Sequence, residues 1–219
     1  MKRFAFFDVD ETIIYEKSMF SILDEISKIF PSVQPGMIQK RLQELRNKGV
    51  ERSIVNRAFY KELKGLPRRS IINISNNYID KRIRDNNKFL IPKVISMMGL
   101  YREKGYSPVF ISGSAIDFIL PLAKYLHVKY CLATKLVIDK DGIYTGEIEG
   151  KSMIGEGKRY SIQDFLRQHS VEASSCAGFG DHASDLSFLE LIGEPHVVAT
   201  SDEKLVFIAQ QRGWPVIYP

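Results

Sequence analysis

Residues 2–12 read Lys2-Arg3-Phe4-Ala5-Phe6-Phe7-Asp8-Val9-Asp10-Glu11-Thr12, an apolar run that stops abruptly in acid. An unbroken apolar run of this length, bounded by polar residues, suits a central parallel strand covered on both faces. Working outward, the residues at 18–89 change texture. Apolar positions recur at helical spacing (Phe20, Leu23, Ile26, Ile29, Phe30, then Ile38, Leu42, Leu45), broken by Gly or Pro at Pro31, Pro35, Gly36, Gly49, Gly65 and Pro67. This pattern predicts several short helices with no strand among them.

From Ile91 onward helical and strand patterns alternate. A helix at 93–104 ends at Gly105, a strand at 106–111 runs into Ser112-Gly113-Ser114, and a helix at 115–126 precedes a strand at 128–133. The Asp139–Gly142 segment between two short alternating runs predicts a hairpin. A helix at 158–168, a strand at 174–179, a helix ending at Leu191, a strand at 195–199, a helix at 202–212 and a strand at 215–218 complete the chain. Strands alternating with helices imply an α/β fold, a Rossmann-like parallel sheet with helices on both faces. The helical block is too large for one crossover. We therefore expect a core domain of residues 1–16 and 90–219, with an all-helical cap domain, 17–89, inserted into it.

Length and composition are compatible with this arrangement. A chain of 219 residues, 44% hydrophobic and 26% charged, supports one buried core plus a smaller insertion. No apolar run approaches the ~20 residues needed to span a bilayer, and the N-terminal run is too short for a signal peptide. A cytoplasmic protein with no membrane partner is expected. The net charge of +5 comes without aromatic interleaving or a nucleic-acid motif, so no nucleic-acid partner is expected. Cys131 and Cys176 lack CxxC spacing and read as buried thiols.

Polar residues collect where strands end. The first strand ends in Asp8-Val9-Asp10-Glu11-Thr12, the second in Ser112-Gly113, and the strand near 179 in Gly180-Asp181, with Asp185 four residues on; Lys158 opens the helix before that last strand. Open α/β sheets bind ligands at these carboxyl ends. Clustered carboxylates repel one another and call for a cation, and an all-oxygen set selects a hard ion such as Mg²⁺. A lysine and a serine hydroxyl suit the remaining oxygens of a phosphoryl group. A carboxylate two residues from a nucleophilic one can protonate a leaving group and later activate water. Together these residues predict phosphoryl transfer.

Asp8-Val9-Asp10-Glu11-Thr12, Phe110-Ile111-Ser112-Gly113, Lys158 and Gly180-Asp181-His182-Ala183-Ser184-Asp185 match in order the four motifs of the haloacid dehalogenase superfamily. A helical insertion between the first two motifs resembles the branch that contains phosphoserine phosphatase, subfamily IB. The likeness extends through Ala133-Thr134, the 141–146 and 155–158 segments and Arg212-Gly213-Trp214-Pro215. It implies a Mg²⁺-dependent phosphatase acting on a small phosphorylated metabolite. In that reading Asp8 forms an aspartyl-phosphate, and Asp10 acts as acid and then base while its backbone carbonyl binds the metal. Asp181 completes the protein's metal ligands, with Asp185 behind it orienting Lys158 or a metal-bound water. Ser112 and the Gly113 N–H hold phosphate oxygens, and Thr12 is expected with them at the phosphate, where it steadies the loop. His182 and Trp214 are expected to be structural. Phosphoserine phosphatases hold the substrate's ammonium with a glutamate soon after the first motif. Lys17 stands at that position here, with Glu16 beside it, which disfavours phosphoserine. Lys17 and Arg57 are the expected cap contacts to substrate. Transfer of the phosphoryl group to another acceptor, or phosphate binding by a non-catalytic regulatory protein, are the alternatives.

Overall fold

In the computed structural model of the protein, which describes residues 2–85, 88–200 and 202–219, the opening apolar run forms strand β1 (Arg3–Phe7). Met1, Asn86, Asn87 and Ser201, which fall within the expected core and cap spans, lie outside the described residues. The other strands are β2 (Tyr106–Ala115), β3 (Tyr130–Thr134), β4 (Leu136–Ile138), β5 (Tyr144–Ile148), β6 (Ala177–Gly180), β7 (Glu194–Val198) and β8 (Val216–Ile217). Six of them form a parallel sheet in the order β3-β2-β1-β6-β7-β8, while β4 and β5 pair as a separate antiparallel hairpin.

Helices α1 (Ser18–Ile29), α2 (Pro35–Asn47), α3 (Arg52–Lys61) and α4 (Arg68–Asp85) fill the insertion. They are followed by α5 (Pro92–Glu103), α6 (Ile116–Tyr125), α7 (Glu156–His169), α8 (Leu186–Leu189) and α9 (Glu203–Gln211). Strand β1 is apolar from Phe4 to Phe7 because both of its faces are covered there. Phe4 and Phe6 pack toward α7, α8 and α9, whereas Ala5 and Phe7 pack toward α5, α6 and the insertion. Each buried phenylalanine side chain stabilises the fold by ~1.5–3 kcal/mol. None of the helices among the described residues is long and apolar enough to cross a membrane.

Besides shifts of one or two residues, three elements beside the motif residues differ from the sequence reading. Strand β2 continues through Ser112-Gly113-Ser114 to Ala115, with a register shift against β3 between Ser112 and Ala115. The Ser112 hydroxyl accepts the Ser114 N–H at 3.0 Å, and this local bond bends the strand without ending it. Strand β6 starts at Ala177, because Ala173–Ser175 instead forms a single 3₁₀ turn. The helix after Asp181 is a 3₁₀ turn, Ala183–Asp185, followed by the short α8.

The insertion is fastened to the sheet at two places. At its root the two connecting strands lie side by side: the Ile91 N–H donates to Ile13 O (2.8 Å) and the Tyr15 N–H to Phe89 O (2.9 Å). Farther out, the β4–β5 hairpin lies against it. Gly65 N–H donates to Tyr144 O, Tyr144 N–H to Leu66 O, and Arg68 N–H to Gly142 O, at 2.9–3.0 Å. The Arg68 guanidinium grips the buried Asp117 of α6 with two bonds of 2.8 Å, and the Tyr144 hydroxyl donates to the same carboxylate at 2.7 Å. A bidentate arginine–carboxylate pair of this kind fixes orientation as well as distance.

At the amino-terminal side of the sheet, Tyr101 and Tyr106 donate their hydroxyls to Glu194. The Tyr101 oxygen must then accept from His196 Nε2, 2.7 Å away, which leaves the buried Nδ1 bare and without a partner. The ring also stacks on Phe179, with centroids 4.5 Å apart. Burial holds the His196 pKa at about 4, below the ordinary ~6.5 of an unfolded chain. A folded-state pKa below the unfolded one adds stability that is complete above pH ~6.5 and fades as pH falls toward 4. We expect the stability advantage of wild type over His196→Phe to shrink by about 2 kcal/mol between pH 7.5 and 5. Urea denaturation at the two pH values measures it, and a pH-independent difference would contradict a buried neutral ring.

Candidate active site

Register places the motif residues at one level. Phe7 pairs with Phe110 on one side and Phe179 on the other, so the residues that follow leave three adjacent strands together. Asp8 extends the ladder by one bond, its N–H donating to Phe179 O at 2.9 Å. The side chains of Asp8, Ser112 and Asp181 are buried at this edge.

Lys158 joins the acids. It stands in the first turn of α7, and Gly157 lets that turn close against the preceding loop, since a Cβ there would lie 1.8 Å from Ser152 O. Its Nζ is 2.9 Å from Asp8 Oδ1 and 2.6 Å from Asp185 Oδ1. Burial pulls the lysine's pKa down, but Asp185 and Asp8 together raise it above its ordinary value, so it stays charged. Gly180 makes room for Asp185: a Cβ there would meet its carboxylate at 2.9 Å. The second Asp185 oxygen accepts the His182 N–H at 3.3 Å. Thr12, fully buried, donates to Asp181 Oδ1 at 2.9 Å.

Asp10 is held by different groups. One oxygen accepts the Ser18 N–H at 2.9 Å, and the other accepts the Ser114 hydroxyl at 2.7 Å, itself bonded by the Ser18 hydroxyl. Burial raises its pKa, and the Ser114 and Ser18 bonds offset part of that rise. Burial likewise raises Asp8 to about 6, against the pull of Lys158.

The Gly113 carbonyl receives three donors: Tyr60 Oη at 2.7 Å, Thr134 Oγ1 at 2.9 Å and Asn56 Nδ2 at 3.1 Å. Two of the three come from α3, so the insertion itself fixes the peptide between Gly113 and Ser114. Burial, and then the Asp10 charge, hold the Tyr60 phenol well above its ordinary pKa, so it remains a donor.

The structure therefore gathers Asp8, Asp10, Lys158, Ser112, Gly113, Asp181 and Asp185. Three of the expected contacts to phosphate or substrate are engaged by other groups. The Thr12 hydroxyl donates to the Asp181 carboxylate. Lys17 reaches the cavity edge but is neutralised by Glu11 at 3.0 Å. Arg57 turns out of the catalytic cavity to donate to Gly150 O and lines a neighbouring, more open one. Glu16 lies away from the cavity, tied to Arg82, Tyr78 and Ser21. His182 accepts the Ser184 N–H through Nδ1, a structural role, although its ring also lines the cavity. Trp214 packs on the core beneath Arg212. Cys176 is buried and Cys131 half-buried, neither in a disulfide.

A cavity of about 360 Å³ opens over these groups. Its floor carries Asp8, Asp10, Asp181, Lys158 and Ser112. The insertion contributes Phe20, Leu42, Val50, Val55 and Phe59, with Arg46 and Arg52.

The donor set fits a divalent cation. Carboxylate oxygens of Asp8, Asp181 and Asp185 lie within 4.8 Å of one another, all buried, with Lys158 the one cation paired to them among the described residues. Burial, followed by the charges of Asp8 and Asp185, pushes the Asp181 carboxyl well above the usual range. A hard cation relieves that repulsion. Both Asp185 oxygens are engaged, by Lys158 and the His182 N–H, whereas Asp8 and Asp181 each have one oxygen bonded, to Lys158 and Thr12, and the other left to ligate.

Residues 5–190 match the haloacid dehalogenase-like hydrolase family. The chain belongs to that family. Among its relatives, the inhibition of morphological differentiation protein of Streptomyces azureus is 27% identical over 97% of this chain and 77% of its own. A probable phosphatase of Mycobacterium tuberculosis is 31% identical over 55% of this chain, and the match spans 41% of that protein's length. A Bordetella pertussis protein of unknown function superposes with a TM-score of 0.85 at 23% identity, covering 100% of this chain and 99% of its own. A phosphoserine phosphatase solved as its phospho-aspartyl intermediate analogue superposes at 0.69 with 18% identity, covering 99% and 93%. These two likenesses bear on the fold.

The Gly113 carbonyl has two lone pairs and three donors, which sets the expected cost of removing them. Tyr60→Phe or Asn56→Ala alone should each destabilise by about 1 kcal/mol, and the double variant by more than the sum. Urea denaturation of the four proteins checks it; strict additivity would show that the donors do not share the carbonyl.

Proposed function

We propose that this protein is a Mg²⁺-dependent phosphatase that hydrolyses a small phosphomonoester through a phosphoaspartate on Asp8. The observation that carries this reading is the pairing at the end of β1. Asp8 sits 2.9 Å from a buried lysine, while Asp10, two residues on, is aimed by Ser18 and Ser114 over the same cavity.

Asp8 attacks phosphorus as its carboxylate, forming an acyl phosphate as the bond to the leaving oxygen breaks. The Asp10 carboxyl, its pKa raised by burial, gives its proton to that oxygen. It then takes a proton from the water that attacks the phosphoaspartate, which frees phosphate and restores Asp8. Lys158 holds the Asp8 carboxylate in place and lends positive charge to the transferring oxygens. Ser112, buried beside the strand end, offers its hydroxyl to a phosphate oxygen. Asp8, Asp181 and the Asp10 carbonyl would hold the Mg²⁺, which when bound adds charge stabilisation at the phosphoryl group. The helical insertion serves as a cap that closes the cavity.

Phosphoserine is disfavoured as substrate. Glu16 is bound to Arg82 and Tyr78, and Glu11 to Lys17, so neither glutamate offers a free carboxylate to an ammonium.

Purified protein should hydrolyse p-nitrophenyl phosphate with Mg²⁺ and lose that activity in EDTA. Asp8→Asn should lower turnover by roughly a thousandfold or more; substantial residual activity would sink the covalent step. Asp10→Asn should slow poor leaving groups most, by roughly 10²–10⁴-fold, whereas equal slowing of all leaving groups would remove Asp10 from the acid role.

A further inference from the structure

Three of the cap's arginines are matched by acids: Arg41 pairs with Glu62, Arg68 with Asp117 and Arg82 with Glu16. Arg46 and Arg52 are not, and among the described residues they are the cap arginines that line the catalytic cavity. Arg46 ends α2 and Arg52 begins α3, and both line the catalytic cavity. Their polar contacts are long and neutral: Arg46 to Gln43 Oε1 at 3.3 Å, Arg52 to Ser184 Oγ at 3.4 Å. Among the described residues no carboxylate forms an ion pair with either. Lys17, the other cation at this cavity's edge, is already matched by Glu11.

The two guanidiniums also act on each other. Burial, and then the charge of Arg52, lower the pKa of Arg46. Like charges held together at a cavity mouth without a counter-ion are unfavourable in the empty protein, and an anion bound between them removes the cost. The same cavity is lined by the apolar side chains of Phe20, Leu42, Val50, Val55 and Phe59 as well as by the acidic floor. It thus offers acidic, apolar and cationic surfaces to one guest.

We propose that the physiological phosphomonoester carries a second anionic group, separated from the scissile phosphoryl group by an apolar spacer, and that Arg46 and Arg52 hold this group. The proposal rests on the phosphatase reading for its direction, with the scissile group at Asp8. A carboxylate and a second phosphate share the chemistry a guanidinium fork recognises, since each presents two coplanar oxygens. A cationic group in the same place is rejected.

Four aryl phosphates of nearly equal leaving-group acidity test it: phenyl phosphate and its 4-carboxymethyl, 4-phosphonomethyl and 4-aminomethyl derivatives. The methylene insulates the phenol from each substituent. In wild type, kcat/KM for at least one of the two anionic compounds should exceed that for phenyl phosphate by roughly tenfold, mainly through KM, and the aminomethyl compound should be the poorest. Whichever anionic compound gains more identifies the group. The ratio of anionic to neutral substrate should fall toward one in Arg46→Gln/Arg52→Gln, and also in about 0.5 M sodium chloride. A ratio near one in wild type, or a ratio that survives in the double variant, overturns the proposal. Should no aryl phosphate be cleaved, the phosphatase reading fails by itself. The subsite is then read by calorimetric titration of phenylphosphonate against 4-(carboxymethyl)phenylphosphonate and its 4-phosphonomethyl counterpart. The same preference and its loss in the double variant are expected, and equal affinities or no binding overturn it.

Discussion

A single buried ammonium holds this site together. Lys158 lies between Asp8 and Asp185 with almost no exposure, and Asp181 adds a third carboxylate within reach of both. Removing one member of a buried ion pair commonly costs more than the pair contributes, because the partner is left charged in a medium that solvates it poorly. The lysine therefore sets the position of everything near it: α7 must begin where it does, Gly157 must be bare for that start, and Gly180 must be bare for Asp185 to approach. The same charge arithmetic leaves an excess of carboxylate over cation, and that excess is what a divalent metal would satisfy.

A second constraint comes from the helical insertion. Asn56 and Tyr60 of α3 donate to the Gly113 carbonyl, in the bend that also carries Ser112 and Ser114. Ser114 in turn holds Asp10. The position of the insertion is thus transmitted through one peptide unit to the Asp10 carboxylate and the serine that holds it. The insertion shapes the chemistry as well as enclosing it.

Much of this is legible in the sequence. The run at Phe4–Phe7 reads as a doubly covered strand because no polar residue interrupts it, and the acids after it mark a carboxyl end whatever the rest of the chain does. Lys158 is findable because Gly155 and Gly157 bracket a helix start. The insertion's contribution is harder to read. Arg46 and Arg52 sit among many basic residues, and only packing separates the arginines that meet acids from the two that line the cavity without one. Asn56 and Tyr60 look like ordinary helix positions, since their partner is a backbone carbonyl 53–57 residues away, which leaves no side-chain signature. Thr12 and Lys17 follow the first motif closely in the chain, and Arg57 stands in the insertion, yet each meets another partner. The chain order could not show that Asp181, Glu11 and Gly150 O would engage them.

The β4–β5 hairpin fastens the insertion through Gly65, Leu66 and Arg68, and the crossing strands hold its root through Tyr15 and Phe89. The side chains that face the cavity from the same insertion belong to other positions: Phe20, Leu42, Arg46, Val50, Arg52 and Val55. Apart from Asn56, which lines the cavity and also bonds the Gly113 carbonyl, seam and inner lining are therefore encoded by separate residues. The inner lining can drift in sequence, exchanging one class of guest molecule for another, while the seam stays shut and the floor keeps its chemistry. Diversification of selectivity on this scaffold needs no new fold and no loosening of the old one.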